Sequence, residues 1–367
     1  MLFSNIYQNK KVLVTGHNGF KGAWLSLWLK NLGAKVTGIS LSNNAKESFF
    51  KANGISELVE DKNLDIRNLN SLNILIKQLQ PDFVFHLAAQ ALVRRSYRDP
   101  LETWSTNLVG TLNILESLRL LEKKCACILI TSDKCYSNKE WAWGYRENDT
   151  LGGPDPYSAS KACAELAIKS YVKSFFNAQN NSLVKISSAR AGNVIGGGDW
   201  SEDRIVPDCM KAWSKGEIVE LRSPSSTRPW QHVLEPLSGY LSLGSKLYNN
   251  NLLHGESFNF GPKMAENNSV LDLVNTMGEY WEKVRWVSNV EERKPYESGL
   301  LNLNCDKAFF DLNWHSVLSF KETIRYTIEW YKSFYEDNLN IQSMSLNQID
   351  NYVASANKQN LTWAKKI

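Results

Sequence analysis

KVLVTGHNGFKGAWLSLWLK, residues 11–30, decides the fold. An apolar, β-branched run ends in Gly16, two further glycines follow at positions 19 and 22, and an apolar helical pattern begins at once. Each glycine of this G-x-x-G-x-x-G answers a different demand: a tight strand-to-helix turn, approach of backbone to a pyrophosphate, and close packing of helix on sheet. The helix start then offers unpaired N–H groups and partial positive charge to an anion. A glycine triplet alone also marks ordinary turns, so the weight lies in its strand–loop–helix setting. The stretch predicts a dinucleotide-binding unit with Gly16, Asn18, Gly19, Phe20, Lys21 and Gly22 around the cofactor. Lys21 is open to two readings, a cation beside the phosphates or a solvated lysine.

Outward from this unit the alternation continues through KVTGISL, LNSLNILIKQLQ, DFVFHLAA, ACILITS and SLVKISSARAGNV. Strands separated by helices imply βαβ units and a parallel sheet. Their nearly all-apolar composition implies helices on both faces. The expected fold is therefore α/β, a doubly wound parallel sheet (Rossmann) with a smaller, interleaved C-terminal substrate domain. Residues 1–192 form the expected cofactor domain, with returns near 230–260. Residues 193–229 and 261–337, richer in Gly, Pro and Trp, form the substrate domain, and 338–367 reads as a polar tail with one loose helix.

An acid about 20 residues beyond the glycines would hold the adenosine ribose. KVTGISLSNN supplies only Ser40, Ser42 and Asn43 there, and no arginine for a 2′-phosphate. Asp65 in LDIRN is the next candidate, either accepting from an adenine amino group, flanked by Ile66 and Ala88, or capping the following helix.

With 367 residues the chain suits two lobes. Lys+Arg 42 against Asp+Glu 38, a net charge of +4, gives no basis for nucleic-acid binding. The six cysteines form no C-x-x-C pair and no regular framework, which suggests reduced thiols in a cytoplasmic protein. Ten residues ahead of the first strand leave no room for an apolar signal segment, and no apolar run is long enough to span a membrane. No metal site is expected.

PYSASKACAE places Tyr157 and Lys161 four apart, stacked on one face of a helix. A tyrosine hydroxyl titrates near ~10 and is a poor base at neutral pH. A neighbouring ammonium and a pyridinium ring would both favour its phenolate, which then takes a proton from a hydroxyl whose carbon loses hydride.

TGHNGFKG, HLAAQ (86–90), TSDKCY (131–136), YSASK (157–161), RAGNVIGGGDW (190–200) and RPWQHVLEPLSGY (228–240) together resemble the extended short-chain dehydrogenase/reductase family, in its NAD-dependent epimerase/dehydratase branch. The likeness runs from about Lys11 to Tyr331. It implies bound NAD and a nucleotide-sugar substrate, CDP-glucose being the expected one. The implied reaction is a 4,6-dehydration: oxidation at C4, loss of water across C5 and C6, and return of hydride to C6. Ser132 would then hydrogen-bond the C4 oxygen and Asp133 protonate the leaving C6 hydroxyl. Lys134 falls where the C5 base belongs, as a neutral amine or, alternatively, as an ammonium stabilising the enolate. The bland reading of Asp133 and Lys134 is an ion pair at a strand end.

For the sugar diphosphate the candidates are Arg228 first and Arg204 second, with Asn193 donating to a phosphate or sugar oxygen and Gln90 and Arg94 near the sugar. Each alone also fits a surface charge or loop residue. Trp143, Trp200 and Trp230 are the tryptophans considered near a ligand, and KPYESG, residues 294–299, loosely matches a segment near the nucleotide base. A homodimer is expected, a tetramer being the alternative. The competing functions are a 4-epimerase or dehydrogenase of the same fold, which needs no acid–base pair beside Ser132, and a catalytically silent cofactor-binding scaffold.

Overall fold

The structure, a computed structural model, describes residues 2–365 except 43–44, 181, 222, 264–267, 289–299 and 337–339. KPYESG lies outside the described residues. Seven strands make one sheet: β1 (Lys11–Thr15), β2 (Lys35–Ser40), β3 (Glu60–Asn63), β4 (Phe83–His86), β5 (Cys125–Ile130), β6 (Val184–Ala191) and β7 (Ser257–Phe260). Their order is β7-β6-β5-β4-β1-β2-β3 and every pairing is parallel. Strand order therefore reverses between β1 and β4, which opens a crevice at the strand ends between the glycine loop and HLAAQ.

The helices that position the site are α1 (Phe20–Asn31), α2 (Leu69–Leu79), α3 (Gly110–Leu118), α4 (Pro156–Phe175), α5 (Ile205–Ser214), α6 (Leu234–Asn249), α7 (Phe320–Tyr335) and α8 (Ile341–Lys358). Successive strand residues point to opposite faces. Leu13, Val84, Cys127 and Leu129 accordingly bury against Leu72, Ile76, Ile114 and Ile168 of α2, α3 and α4. Val12, Val14, Phe83, Phe85 and Ile128 bury in the other core with Trp24, Trp28, Leu237 and Tyr240 of α1 and α6. The doubly wound arrangement follows from this period-2 partition.

Beyond β6 the chain makes short ladders. Val194–Ile195 pairs with Gln231–His232, Thr227–Arg228 with Asn268–Ser269, and Val219–Leu221 with Trp286–Ser288. Within the segment expected to be a polar tail with one loose helix, the helix is present and is packed rather than loose. Helix α8 buries Ile349, Tyr352 and Ala356 completely, in the same core as α1 and α7. Tyr352 donates to the buried Glu235 carboxylate at 2.7 Å, which also accepts from the Val317 and Leu318 amides. No helix among the described residues is long and apolar enough to cross a membrane.

Candidate active site

The glycine loop has no room for side chains. Gly16 sits at φ +73°, and a Cβ there would lie 2.7 Å from the Ala88 nitrogen. A Cβ on Gly22 would lie 2.0 Å from the Gly16 carbonyl oxygen. Gly19 precedes α1 without a side-chain cap. The cradle is bare backbone aimed by a helix N-terminus, which fits a pyrophosphate. Asn18 braces it by donating to the Leu41 carbonyl at 2.7 Å, and the Ala88 amide donates to Thr15 at 3.1 Å. Phe20 packs beside Gly196, where its ring would stand 3.3 Å from an added Cβ.

Lys21 is not a solvated lysine. Its Nζ lies 5.9 Å from the Tyr240 ring centre. Burial, with the charges of Lys161 and Arg204, takes it down to about 8, against the pull of Asp133 and Asp199.

At the ribose end, Gly38 leaves space for the buried His17 ring, which bridges Asp61 (2.8 Å) and Ser40 (3.1 Å). Asp65 is clasped by Arg67 through its backbone amide and guanidinium, at 2.6–3.0 Å, and these bonds hold its carboxyl below the usual range. Its alternative as a helix cap falls away, because Asn68 caps α2 through the Ser71 amide. Ile66 is buried, packs on Gly110, and gives its carbonyl to Asn113.

Asp155 caps α4 and Pro156 occupies its first turn, which fixes Tyr157 at the mouth of the helix. Lys161, one turn on, donates to the Ile130 carbonyl at the end of β5, 3.3 Å away. Burial takes Lys161 down to about 8 against the pull of Glu165. Tyr157 is buried. In the ligand-free protein burial pushes its hydroxyl up to about 12; the Ser132 hydroxyl and Arg204 oppose this and Asp133 adds to it.

Ser132 caps the turn Asp133–Cys135, accepting from the Lys134 amide at 3.2 Å and donating to Asp133 Oδ1 at 2.9 Å. Asp133 is buried, and its Oδ2 has no hydrogen-bond partner among the described residues. Lys134 Nζ stands 3.9 Å from Oδ1 with its side chain 31% exposed, a loose pair that leaves the amine able to reach a ligand.

Beneath these groups lies a network whose roles are not apparent from the chain order. Glu165, buried on α4, accepts from Thr131 (2.5 Å), Ser188 (2.8 Å) and Arg190 (2.7 Å). Arg190 also donates to Tyr136, and Tyr136 to Asn259. Burial alone would raise Glu165, but Arg190 and these donors hold it below the usual carboxylate range. β5, β6, β7 and α4 are thereby tied together one residue from Ser132. Asn107, in a single π turn (Ser105–Val109), joins the Gln90 backbone to Ser160 of α4. π turns of this kind recur at functional sites.

Of the expected substrate residues, Gln90 is buried. Its amide donates to the Leu92 carbonyl and Thr103 and accepts from the Leu92 amide, so it staples its own loop. Arg94 pairs with Asp203 at 3.0 Å across the crevice. Arg204 pairs with the buried Asp199 at 2.9 Å, and Asp199 gives its carbonyl to Tyr331. Asn193 adopts φ +52° where the Gly192 loop turns, and its carbonyl accepts from the Gln231 amide. Arg228 donates to the Thr227 carbonyl at 2.8 Å. Trp200 packs on Trp330, Tyr331 and Phe334, Trp230 is buried, and Trp143 is exposed. No group of three or more His, Cys, Asp or Glu suited to a metal ion occurs among the described residues.

With this geometry in hand, comparison with known proteins is informative. A family model described as GDP-mannose 4,6 dehydratase matches residues 13–327. CDP-glucose 4,6-dehydratase of Salmonella typhimurium (strain LT2) is 44% identical over 337 residues, covering 91% of this chain and 94% of that protein. Among solved structures, UDP-glucose 4-epimerase with UDP-glucose from Thermotoga maritima superposes with a TM-score of 0.77 at 22% identity, over 89% of this chain and all of the other. UDP-glucose-4-epimerase from Stenotrophomonas maltophila, with bound NAD and formylated UDP-arabinopyranose, gives 0.76 at 18% identity over 90% of this chain and all of the other. The two epimerases share the fold.

Proposed function

The chain belongs to the GDP-mannose 4,6 dehydratase family, and from that membership we propose that it converts CDP-glucose to CDP-4-dehydro-6-deoxyglucose and water. It is a nucleotide-sugar 4,6-dehydratase, a hydro-lyase that uses NAD. The observation that carries this reading is the 44% identity to a CDP-glucose 4,6-dehydratase across nine-tenths of both chains. Asp133 and Lys134 standing together beside Ser132 and Tyr157 support it, since a 4-epimerase has no need of that pair.

The bare cradle at Gly16, Gly19 and Gly22, with Asn18, Phe20, Lys21, Asp65, Ile66, Ala88, Tyr157 and Lys161, would hold the dinucleotide. Bound NAD supplies the reversible redox chemistry, so no outside oxidant is required. The remaining work falls to side chains. Tyr157 Oη takes the proton of the C4 hydroxyl, and Ser132 Oγ, itself fixed by Asp133 and the Lys134 amide, hydrogen-bonds the same oxygen. Once C4 is a ketone, the C5 proton is acidic. Lys134 Nζ removes it, and Asp133 delivers a proton to the C6 oxygen as water departs. Arg204, Arg228, Asn193, Gln90 and Arg94 would bind the diphosphate and sugar, with Arg204 also lending positive charge to Tyr157. A homodimer, or alternatively a tetramer, and a cytoplasmic location complete the proposal from the family resemblance.

Incubating the purified protein with CDP-glucose, dTDP-glucose and GDP-mannose in parallel, and reading the alkali-induced absorbance of a 4-keto sugar, tests it. CDP-glucose is expected to give the ketone fastest. Ketone from none of the three, with NAD bound, would remove the dehydratase.

A further inference from the structure

Two buried acceptor atoms stand without partners on the far side of Asp133. One is Asp133 Oδ2 and the other is Gln231 Oε1. Gln231 is 1% exposed and Asp133 2% exposed. The orientation of the Gln231 amide is fixed, because its Nε2 donates to the Gly192 carbonyl at 2.9 Å and the Phe260 carbonyl at 3.0 Å. A flipped amide would set its oxygen against two carbonyls, so Oε1 is the atom left over. Gly192 closes the space between the two residues: a Cβ there would lie 1.9 Å from Asp133 Oδ2. Asp133, Gly192, Gln231 and Asn302 line one small cavity, together with the Gly261–Lys263 turn, Pro229 and Leu303. It has room for about one water molecule.

As a carboxylate, Asp133 cannot satisfy Gln231, and the two acceptors require a donor with two protons, such as a water molecule in the space available; once protonated, Asp133 donates to the same water, which still donates to Gln231 Oε1.

We propose that Asp133 Oδ2 and Gln231 Oε1 form a water site on the leaving-group side of the reaction, and that Gln231 is the positioning residue that builds it. The assignment rests on the dehydratase reading given above. In the elimination the C5–H bond breaks to the base, its electron pair becomes the C5=C6 bond, and the C6–O bond breaks as oxygen takes the proton of Asp133. What leaves is a water with two O–H donors; what Asp133 becomes is a carboxylate with a second acceptor. The resident water, held by Gln231, keeps Asp133 aligned for the transfer and solvates the carboxylate that results. The charged and titratable groups facing Asp133 from its surroundings are Lys134, Lys21, Tyr157, Tyr240 and Cys135, with Lys263 on the cavity wall. None of these supplies the neutral, fixed acceptor that Gln231 does.

The test uses the full-length protein with bound NAD and the variant Gln231→Met, which keeps the volume and removes the strong acceptor. A single turnover with CDP-glucose separates the steps: C4 oxidation is read from reduced-cofactor absorbance, and water loss from its decay. Gln231→Met is expected to oxidise C4 at the wild-type rate and to lose water ~10-fold more slowly, the factor for one hydrogen bond of ordinary strength, so reduced cofactor accumulates. A crystal structure of the wild-type protein is expected to show one ordered water bonded to both Asp133 Oδ2 and Gln231 Oε1. Unchanged water loss in Gln231→Met, equal slowing of both steps, or a direct contact in place of the water would each overturn the proposal. Failure of the dehydratase reading would look different, because the wild-type protein itself would then form no ketone.

Discussion

Replacing Glu165 by leucine probes the network that carries the reaction centre. The substitution leaves Arg190, whose side chain is 3% exposed, as a buried cation without its carboxylate. Removing one member of a buried pair costs ~3–5 kcal/mol. Arg190 keeps three other acceptors, Tyr136 (2.7 Å), the Glu147 carbonyl (3.0 Å) and Ser257 (3.1 Å), which argues for the low end, about 3 kcal/mol. For 367 residues the unfolding entropy near the midpoint is about 0.8 kcal/mol/K, so Tm should fall by about 4 °C. The double variant Glu165→Leu/Arg190→Met removes both charges and should cost less than the sum of the singles, with a coupling of about 3 kcal/mol. The sign with pH follows from Glu165 being held below its unfolded value. Its stabilisation is present above about pH 4.3 and is lost as pH falls through the lower folded value. The gap between wild type and Glu165→Leu should therefore shrink in acid. Calorimetry on wild type, both singles and the double measures all of this; additive losses, or a gap independent of pH, would refute a coupled pair.

Lys134→Met should still reduce bound cofactor on addition of substrate yet release no ketone product, and wild-type turnover in that variant would remove the lysine from the base role. Gly22→Ala places a methyl 2.0 Å from the Gly16 oxygen, so NAD affinity measured by fluorescence quenching should fall by at least ~10-fold, one hydrogen bond or more of lost contact; unchanged affinity would refute the cradle. Since Lys161 loses its charge through about pH 8, kcat/KM should decline above that pH. Over the same range, up to about 10.4, stability should rise, because the unfolded chain holds a proton the folded one has released. An alkaline loss of rate that tracks unfolding would contradict this, and Lys21→Met tells whether Lys21, also taken down to about 8, contributes to the limb.

The parallel sheet and glycine cradle were legible because each lies in one continuous stretch whose residue types answer a backbone demand. Tyr157 and Lys161 were legible because one helical turn separates them. Glu165 and Arg190 were not: they lie 25 positions apart on different elements and meet only after β6 enters the sheet. The three hydrogen bonds by which Gln90 holds its own loop were not legible either, because they join it to Leu92 and Thr103 through a turn that no local pattern announces. Helix α8 was misjudged for a related reason. It buries Ser345 and Gln348 by pairing them with Trp330 and the Tyr326 carbonyl, so a polar composition hid an inward face. For Tyr157 the spacing announces an ammonium one turn away, whereas the burial that raises its proton affinity comes from surroundings distant in the chain.

Phe3 lies flat on Trp363, ring centres 5.0 Å apart and planes 9° from parallel, so the beginning and end of the described polypeptide touch over the α1 side of the molecule. Topologically the protein is almost a closed loop. A short linker between those ends, with new termini opened at the exposed Gln179 and Asn180, should yield a circular permutant that retains both cores. Cropping the chain before residue 341 should instead strip the cover from Trp28 and Phe3.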